Sequence, residues 1–228
     1  MTDTAADVSR WIHAFQAEIA EHRVRLTELD AAIGDADHGT NMDRGMRAVV
    51  AKLDDAGAGV DIGSLFKTVG MTLVSSVGGA SGPLYGTLFL RMATAAAGLT
   101  ELNGDGWASA WDAGVAGVQA RGKAEIGDKT MVDALVPASA AFAAAVGRGG
   151  SSAEAWHAAA VAARAGVKST VPMVARKGRA SYLGERSAGH QDPGATSTYL
   201  LIECGAEVLG GVARADRERG TATESVST

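Results

Sequence analysis

The chain has 228 residues, 46% of them apolar, with 21 basic and 26 acidic side chains and a formal net charge of −5. This length suffices for one domain with a large core, and an acidic chain is not drawn to nucleic acid or to an anionic membrane surface. One cysteine, Cys204, excludes an internal disulfide and a cysteine-ligated zinc site. Neither a signal peptide nor an apolar run of membrane-spanning length is evident, so we expect a cytoplasmic protein.

Apolar residues recur at helical spacing, whereas the alternation typical of strands is scarce. The first helix is predicted from about Ala5 to Ala32. Seven further helices are predicted at Thr40 or Asn41 to Leu53, Asp61 (as the N-cap) to Ser76, Pro83 (in the first turn) to Ala97, Gly106 to Lys123, Met131 to Val146, Ser151/Ser152 (as the cap) to Ser169, and Ala195 to Leu209. We therefore expect an all-α, eight-helix, antiparallel up-and-down bundle over residues 1–212, followed by a disordered polar tail over residues 213–228.

In an up-and-down bundle every second link between helices lies at the same end. The links after the second, fourth and sixth helices read as ordinary flexible turns. The other four links are chemically distinctive: I-G-D-A-D-H-G-T, V-G-G-A-S-G, E-I-G-D-K-T, and about 25 residues from Thr170 to Gly194. A loop that long within a compact domain is usually functional. The alternation therefore predicts a functional site at one end of the bundle.

The first of these links brings three carboxylates within eight residues, Asp30, Asp35 and Asp37, followed by His38. Acids this close repel one another unless a cation lies between them, and oxygen ligands without a thiolate suit Mg²⁺, Mn²⁺ or Ca²⁺. The alternative is that the aspartates are turn formers and helix caps. Their place among the distinctive links favours a metal site. His38 could be a metal ligand, a phosphate donor or a turn histidine.

The second link, within S-S-V-G-G-A-S-G-P-L-Y-G, has three glycines whose backbone N–H groups could approach an anion closely, and Ser81 adds a hydroxyl. Pro83 then opens a helix whose N-terminus favours negative charge. A glycine-rich turn without a ligand is the alternative, since no Walker A motif follows.

The long link carries a basic cluster, Arg176, Lys177 and Arg179. Basic side chains beside an acid-bound metal suit a polyphosphate, because they neutralise the charge that develops during transfer. Lys129, in the third link, reads as an ordinary loop charge. The residues alone therefore predict a helical bundle with a magnesium–nucleotide site at one end, suited to phosphoryl transfer.

Four stretches closely resemble the nucleotide-binding subunits of dihydroxyacetone kinases, the DhaL family. They read G-D-A-D-H-G-T-N-M, S-S-V-G-G-A-S-G-P-L-Y-G-T, R-G-K-A-E-I-G-D-K-T-M and A-R-K-G-R-A-S-Y-L-G-E-R-S-A-G-H-Q-D-P-G-A-T-S. The resemblance runs from about residue 10 to residue 210. It implies an eight-helix antiparallel barrel that holds ADP (or ATP) and Mg²⁺ at one end.

The resemblance also implies roles for individual residues. Asp30, Asp35 and Asp37 would hold two Mg²⁺ ions. Arg179, which would lie over the phosphates, and His38 are the expected catalytic residues. The residues expected to bind the nucleotide are His38, Gly39, Thr40, Asn41, Gly79, Ala80, Ser81, Gly122, Thr130, Met131, Arg179, Asp192, Pro193 and Gly194, with Gly122 and Met131 at the adenine.

In the resembled family a separate DhaK-type subunit holds dihydroxyacetone. In one version ADP stays bound and is rephosphorylated by a phosphotransferase-system protein of the DhaM type; in the other, ATP is an exchanging substrate. The loop spelling and the separate chain favour the first version. We expect a DhaK-type partner, a DhaM-type donor and a homodimer, and no nucleic-acid or membrane partner.

Three alternatives stay open at this point. The chain could be an ATP-dependent kinase subunit for another ketose, such as erythrulose. It could be a nucleotide-sensing module that docks on a regulator without chemistry of its own. It could also be a metal-dependent phosphohydrolase.

Overall fold

The computed structural model describes residues 2–55 and 59–211. The predicted tail, residues 213–228, lies outside the described residues, and the domain boundary at residue 212 stays a prediction. Within the described ranges no helix has both the length and the apolar character needed to cross a membrane.

Most of the described residues lie in helices, which confirms the all-α prediction. A 3-10 segment, Arg179–Ser187, lies within the last link, and two short strands, β1 (Asp3–Thr4) and β2 (Glu101–Leu102), pair in antiparallel fashion. The α-helices are α1 (Ala5–Glu21), α2 (Arg23–Ile33), α3 (His38–Asp55), α4 (Ile62–Ser76), α5 (Ser81–Ala95), α6 (Gly104–Gly122), α7 (Val132–Gly147), α8 (Ser152–Ser169) and α9 (Pro193–Val208).

The predicted first helix, Ala5 to Ala32, is wrong as a single element because it is interrupted at His22. This residue leaves the helical region with φ −89° and ψ 6°. Its ring Nδ1 lies 3.1 Å from the carbonyl oxygen of Glu18, which also accepts the His22 backbone N–H at 2.9 Å. A side chain that bonds to the preceding turn competes with the regular helical ladder. The spacing of apolar residues does not reveal such a break, because the row of apolar residues along α1 continues into α2.

Several predicted helix starts are confirmed by their caps. The side chain of Asp61 accepts the Ser64 N–H at 3.0 Å, and Ser151 forms a reciprocal capping box with Glu154. The start of α6 was predicted two residues too late, because the side chain of Asn103 accepts the Gly106 N–H and caps the helix there.

The helices of the described residues pack in a closed ring, in which α1 and α2 together take the place of the predicted first helix. The predicted count of eight helices is not confirmed, because residues 2–55 and 59–211 contain nine α-helices. Each helix from α3 onward packs against the next along the chain, and α9 packs against α1, which in turn contacts α3. Because the links are mostly short, neighbouring helices run antiparallel. The up-and-down arrangement was therefore predicted correctly.

An aromatic cluster fills the centre of the ring. Trp11 is fully buried, and its ring lies 5.5 Å from that of Trp107 and 5.8 Å from that of Trp156. The edge-to-face geometry of these pairs is the favoured one for aromatic rings. The Trp11 indole N–H donates to the carbonyl oxygen of Leu201 in α9 at 2.8 Å, which ties the first helix to the last. The indole N–H of Trp107 donates to Asp3 in β1 at 2.8 Å.

Close packing of α7 on α8 depends on Gly166. A Cβ atom at this position would lie 2.1 Å from the carbonyl oxygen of Asp133 and 2.8 Å from the Cα of Ala134. Both are backbone atoms, so the two helices would have to separate.

We expect Gly166→Ala to lower the free energy of unfolding by about 2–4 kcal/mol, because an overpacked backbone contact cannot relax by a side-chain movement. Gly147→Ala is the matched control, since a Cβ atom there meets no atom within 4 Å. Urea denaturation monitored by circular dichroism measures both. Equal unfolding midpoints for the two variants would contradict this account of the α7–α8 contact.

Candidate metal and nucleotide site

Four links between helices surround a cleft of about 170 Å³ at one end of the ring. The α2–α3 link contributes Asp35, the α4–α5 link Gly79, the α6–α7 link Lys129, and the α8–α9 link Arg179. These are the four links that the alternation along the sequence places at one end. The predicted clustering of the distinctive links is therefore confirmed.

The three carboxylates meet at the wall of this cleft. One oxygen from each of Asp30, Asp35 and Asp37 lies within 4.8 Å of the others. Asp30 is held most firmly: its Oδ2 accepts the backbone N–H groups of Asp37 at 2.8 Å and His38 at 3.1 Å. The side-chain carboxylate of Asp30, a residue of α2, thus lies at the N-terminus of α3, where a negative charge is favoured.

The short chain between these acids is conformationally constrained. A Cβ atom on Gly34 would lie 2.1 Å from Asp30 Oδ1 and 3.0 Å from the Asp30 carbonyl oxygen, so a side chain there would displace the carboxylate. Ala36, between the other two acids, takes a left-handed conformation with φ 61°. A non-glycine residue there costs roughly 1–2 kcal/mol, so the loop stores strain in bringing Asp35 and Asp37 to the same side. The sequence carries no signal for this conformation of Ala36.

The donor set fits a divalent cation. Three carboxylates supply hard oxygen ligands, and Asp30 keeps Oδ1 available because Oδ2 is taken by the two N–H groups. Arg179 is a positive group beside them, with Nε 3.1 Å from Asp35 Oδ2. The structure thus brings the three predicted metal ligands together. The number of metal ions that they bind stays a prediction.

The glycine-rich link faces the acids. Gly79 has φ +65°, a conformation that favours glycine, and a Cβ atom there would lie 4.0 Å from Asp37 Oδ1. Ser81 is the first residue of α5. Gly79, Ala80 and Ser81 all line the cleft, as does the predicted set Thr130, Met131, Asp192, Pro193 and Gly194.

Four predicted nucleotide-binding residues do not line the cleft; Gly122 lies in an adjoining cavity, and the other three are Gly39, Thr40 and Asn41. Gly39 packs against α2, where a Cβ atom would lie 2.1 Å from the carbonyl oxygen of Arg23. Thr40 is exposed on α3. Asn41 lies beneath the glycine link, since a Cβ atom on Gly78 would lie 3.0 Å from its amide nitrogen. Because Gly39, Thr40 and Asn41 directly follow His38, the sequence could not show which of these residues line the cleft and which pack behind it.

His38 is buried and joins three helices through its ring. Nδ1 lies 3.0 Å from Ser81 Oγ in α5, and Nε2 lies 2.9 Å from Ser197 Oγ in α9. Ser197 Oγ lies 2.7 Å from the hydroxyl of Tyr85. Burial lowers the pKa of His38 to about 4 and raises the pKa of Tyr85 to about 12. Both groups are therefore neutral at pH 7, and His38 supports the glycine link.

A second cavity of about 250 Å³ adjoins the cleft and shares Ala80, Thr130 and Met131 with it. Predicted Gly122 lies on its wall, together with three apolar residues that sequence reasoning missed: Pro83, Leu84 and Val118. An apolar slot next to a charged cleft suits a molecule with a flat ring at one end and charged groups at the other.

Asp192 caps α9 and is almost fully buried. Its Oδ2 accepts the Ala195 N–H at 2.7 Å. Burial raises the pKa of Asp192 to about 7, an effect that the nearby Lys129 ammonium opposes. Lys129 itself is only 1% exposed, so the prediction that it is an ordinary loop charge is wrong. The sequence did not reveal this because burial of a loop lysine depends on distant chain segments.

The family model described as DAK2 domain matches residues 32–207. The chain belongs to the DAK2 domain family, as a DhaL-type subunit. It is 52% identical over 178 residues to the ADP-binding subunit DhaL of the PEP-dependent dihydroxyacetone kinase of Escherichia coli (strain K12), covering 78% of this chain and 84% of the relative. It is 42% identical over 206 residues to the ADP-binding subunit DhaL of PEP-dependent dihydroxyacetone kinase 2 of Listeria innocua serovar 6a, covering 89% of this chain and 95% of the relative.

Among solved structures, the DhaL-type chain resembles the dihydroxyacetone kinase from C. freundii in complex with AMP-PNP and Mg²⁺. The TM-score is 0.69 with 27% sequence identity, over 89% of this chain. This chain spans 34% of the C. freundii chain. The resemblance read from the sequence motifs is thus confirmed, and so is the kinase class that it implied.

The buried carboxyl of Asp192 gives this DhaL-type chain a testable pH dependence. With a pKa of about 7 in the folded state, well above its usual value, Asp192 holds a proton between about pH 4 and 7 that the unfolded chain has already lost. Its contribution to stability is therefore largest at low pH and disappears as the pH rises through 7.

Asp192→Asn removes this titration and keeps an N-capping side chain. Between pH 5 and pH 8 we expect the unmodified chain to lose roughly 2 kcal/mol more unfolding free energy than the variant. Urea unfolding at a series of pH values measures the difference. Parallel stability profiles for the two proteins would show that Asp192 is ionised throughout.

Proposed function

We propose that this chain is the nucleotide-binding subunit of a dihydroxyacetone kinase, and that it delivers a phosphoryl group from a Mg²⁺-bound nucleotide to dihydroxyacetone on a separate DhaK-type subunit. The observation that carries the proposal is the carboxylate cluster facing the glycine-rich link across a cleft that opens into an apolar slot. The names of relatives 52% and 42% identical over most of the chain support it.

In this proposal the apolar slot holds the adenine and the cleft holds the phosphates. Leu84 and Met131 border the slot, with Gly122 at its edge. Gly79 and Ser81 line the cleft at the start of α5, and in this proposal the Gly79 backbone N–H and the Ser81 hydroxyl donate to phosphate oxygens.

Asp30, Asp35 and Asp37 would hold Mg²⁺, which when bound neutralises phosphate charge and orients the phosphates. The chain's own contribution is to keep these three carboxylates in place before any ligand arrives. The Asp30 carboxylate is held by the backbone N–H groups of Asp37 and His38 at the start of α3. The His38 ring in turn contacts the Ser81 hydroxyl of the glycine-rich link.

Arg179 supplies an exposed positive charge in the proposed reaction. Its side chain is 64% exposed and its Nε pairs with Asp35 Oδ2. A metal ion held at Asp35 would take up the same carboxylate, and the Arg179 guanidinium would then be available to the phosphates. There it would stabilise the charge of the group in transfer.

Conversion of Asp35 to Asn tests the metal assignment. We expect the affinity for Mg-ADP to fall at least about 100-fold, because one of three charged ligands is lost, while the helical circular dichroism signal stays unchanged. Isothermal titration calorimetry gives the affinity. Asp112→Asn, on the exposed face of α6, is the control. Normal Mg-ADP binding by Asp35→Asn would remove this residue from the metal site.

Arg179→Gln should act in opposite directions on two measurements. Turnover with a DhaK-type subunit should fall about 100-fold or more, because the transition state loses a cationic partner. Mn²⁺ affinity of the nucleotide-free protein should rise about three- to tenfold, because the competing charge beside Asp35 is gone. Arg186→Gln is the control, because Arg186 is an exposed arginine of the same link that does not line the cleft. Unchanged turnover would take Arg179 out of the mechanism.

The relatives' names favour the phosphoenolpyruvate-dependent version, in which ADP stays bound and a DhaM-type protein rephosphorylates it. Native mass spectrometry of freshly purified protein, followed by a chase with labelled ATP, distinguishes the two versions. Retained ADP that resists exchange supports the DhaM-type donor, whereas rapid exchange makes ATP the consumed donor. The same spectra report whether the chain forms the predicted homodimer.

A further inference from the structure

The long link between α8 and α9 leaves and rejoins the body of the protein at a narrow neck. We define the neck as Thr170, Val171, Gly189 and His190. The two sides are joined by one backbone bond, from the Gly189 N–H to the Val171 carbonyl oxygen at 2.7 Å. The residues between the two sides include Arg179, and Asp192 lies two residues after the neck.

The ammonium group of Lys129 lies inside this neck. Its Nζ donates to the Thr170 carbonyl oxygen at 2.6 Å and to the carbonyl oxygen of His190, and lies 3.5 Å from that of Val171. The acceptors come from both sides of the neck, so one side chain closes it. An ammonium has three N–H donors, and these carbonyls can take all of them.

The loop that carries Lys129 is itself fixed. Asp133, at the start of α7, accepts the Thr130 N–H at 2.7 Å and the Gly127 N–H at 2.6 Å. Lys129 adopts a left-handed conformation with φ 62°. The strain of that conformation and the burial of a charge are both costly, and they are offset only while the carbonyl oxygens of the neck are in place.

The neck also contacts the segments that carry the predicted nucleotide-binding residues. The Asp192 N–H donates to Thr170 Oγ1 at 3.0 Å, which fixes the start of α9 and with it Pro193 and Gly194. On the other side, Arg176 N–H donates to the Asp128 carbonyl oxygen at 3.1 Å, beside Lys129. The path from Arg176 to Arg179 is only three residues long.

We propose that Lys129 is a positioning residue that clamps the neck of the α8–α9 link, and thereby places Arg179 on one side and Asp192–Gly194 on the other around the nucleotide. The consequence for nucleotide binding rests on the proposed function, but the clamp itself belongs to the protein without ligand. Lys129 acts through the link rather than on the phosphates, because its donors are taken by backbone carbonyls.

Amide hydrogen exchange without nucleotide tests the clamp in the unmodified protein. We expect the Gly189 amide, whose bond spans the neck, to exchange at least about tenfold more slowly than the amides of the exposed residues Arg179, Tyr182 and Glu185. Equal exchange at these positions would overturn the proposal, whether or not any variant folds. Because no nucleotide is present, this result is independent of the proposed function.

Lys129→Ala removes the ammonium and leaves room for a small amine. Amides of residues 171–190 should exchange about tenfold faster, while amides of α4 and α5 are unchanged, since bonds to a charged donor are lost at the neck alone. Mg-ADP affinity should fall about tenfold for the same reason. Lys168→Ala, at the exposed end of α8 near the same link, should change neither.

Added methylammonium should restore slow exchange of residues 171–190 in Lys129→Ala, whereas tetramethylammonium, which has no N–H donor, should not. A purely space-filling role for Lys129 would give no such distinction. Loss of Mg-ADP affinity with unchanged exchange would mean that Lys129 contacts the nucleotide directly, and would overturn the clamp. Failure of the unmodified protein to bind Mg-ADP, with the clamp intact, would count against the proposed function alone.

Discussion

The carboxylate of Asp30 is the contact on which the site depends. One of its oxygens accepts two backbone N–H groups at the start of α3, so a buried negative charge and an unsatisfied helix terminus are stabilised together. One oxygen of Asp30 also lies within 4.8 Å of an oxygen of Asp35 and an oxygen of Asp37. The constraint spreads along the chain, because Gly34 must have no side chain and Ala36 must be left-handed for the loop to follow this path.

Buried polar groups connect the loop of the three acids to other helices of the ring. His38 follows the acids directly and touches hydroxyl groups of α5 and α9. Because burial keeps the imidazole neutral, these groups cost no charge desolvation, and each hydroxyl among them has a partner. The acid loop, the glycine-rich link and the start of α9 are thus held by one another, which suits a site that must be formed before the ligand binds.

The fold separates stability from chemistry. Aromatic rings around Trp11 fill the centre of the ring of helices, whereas the cleft is built from links at one end. Links lack the regular backbone hydrogen bonds of helices, so their shape needs other support. Lys129 supplies that support for the longest link through carbonyl oxygens, and the small cluster of Ile33, Ala175 and Ala180 gives it a core of its own.

Helix positions, the up-and-down order and the end that carries the site could be predicted from the sequence, because they follow from local spacing, from caps such as Asp61 and from counting links. The acid cluster could be predicted too, since its three members are close in sequence. Only the tertiary structure decided that helix one breaks at His22, that Gly39 packs on α2 instead of lining the cleft, and that Lys129 is buried. The positions of Gly39 and Lys129 depend on atoms that the fold brings from distant parts of the chain, and the break at His22 depends on a competing hydrogen bond. The spacing of apolar residues along the sequence reveals neither kind of contact.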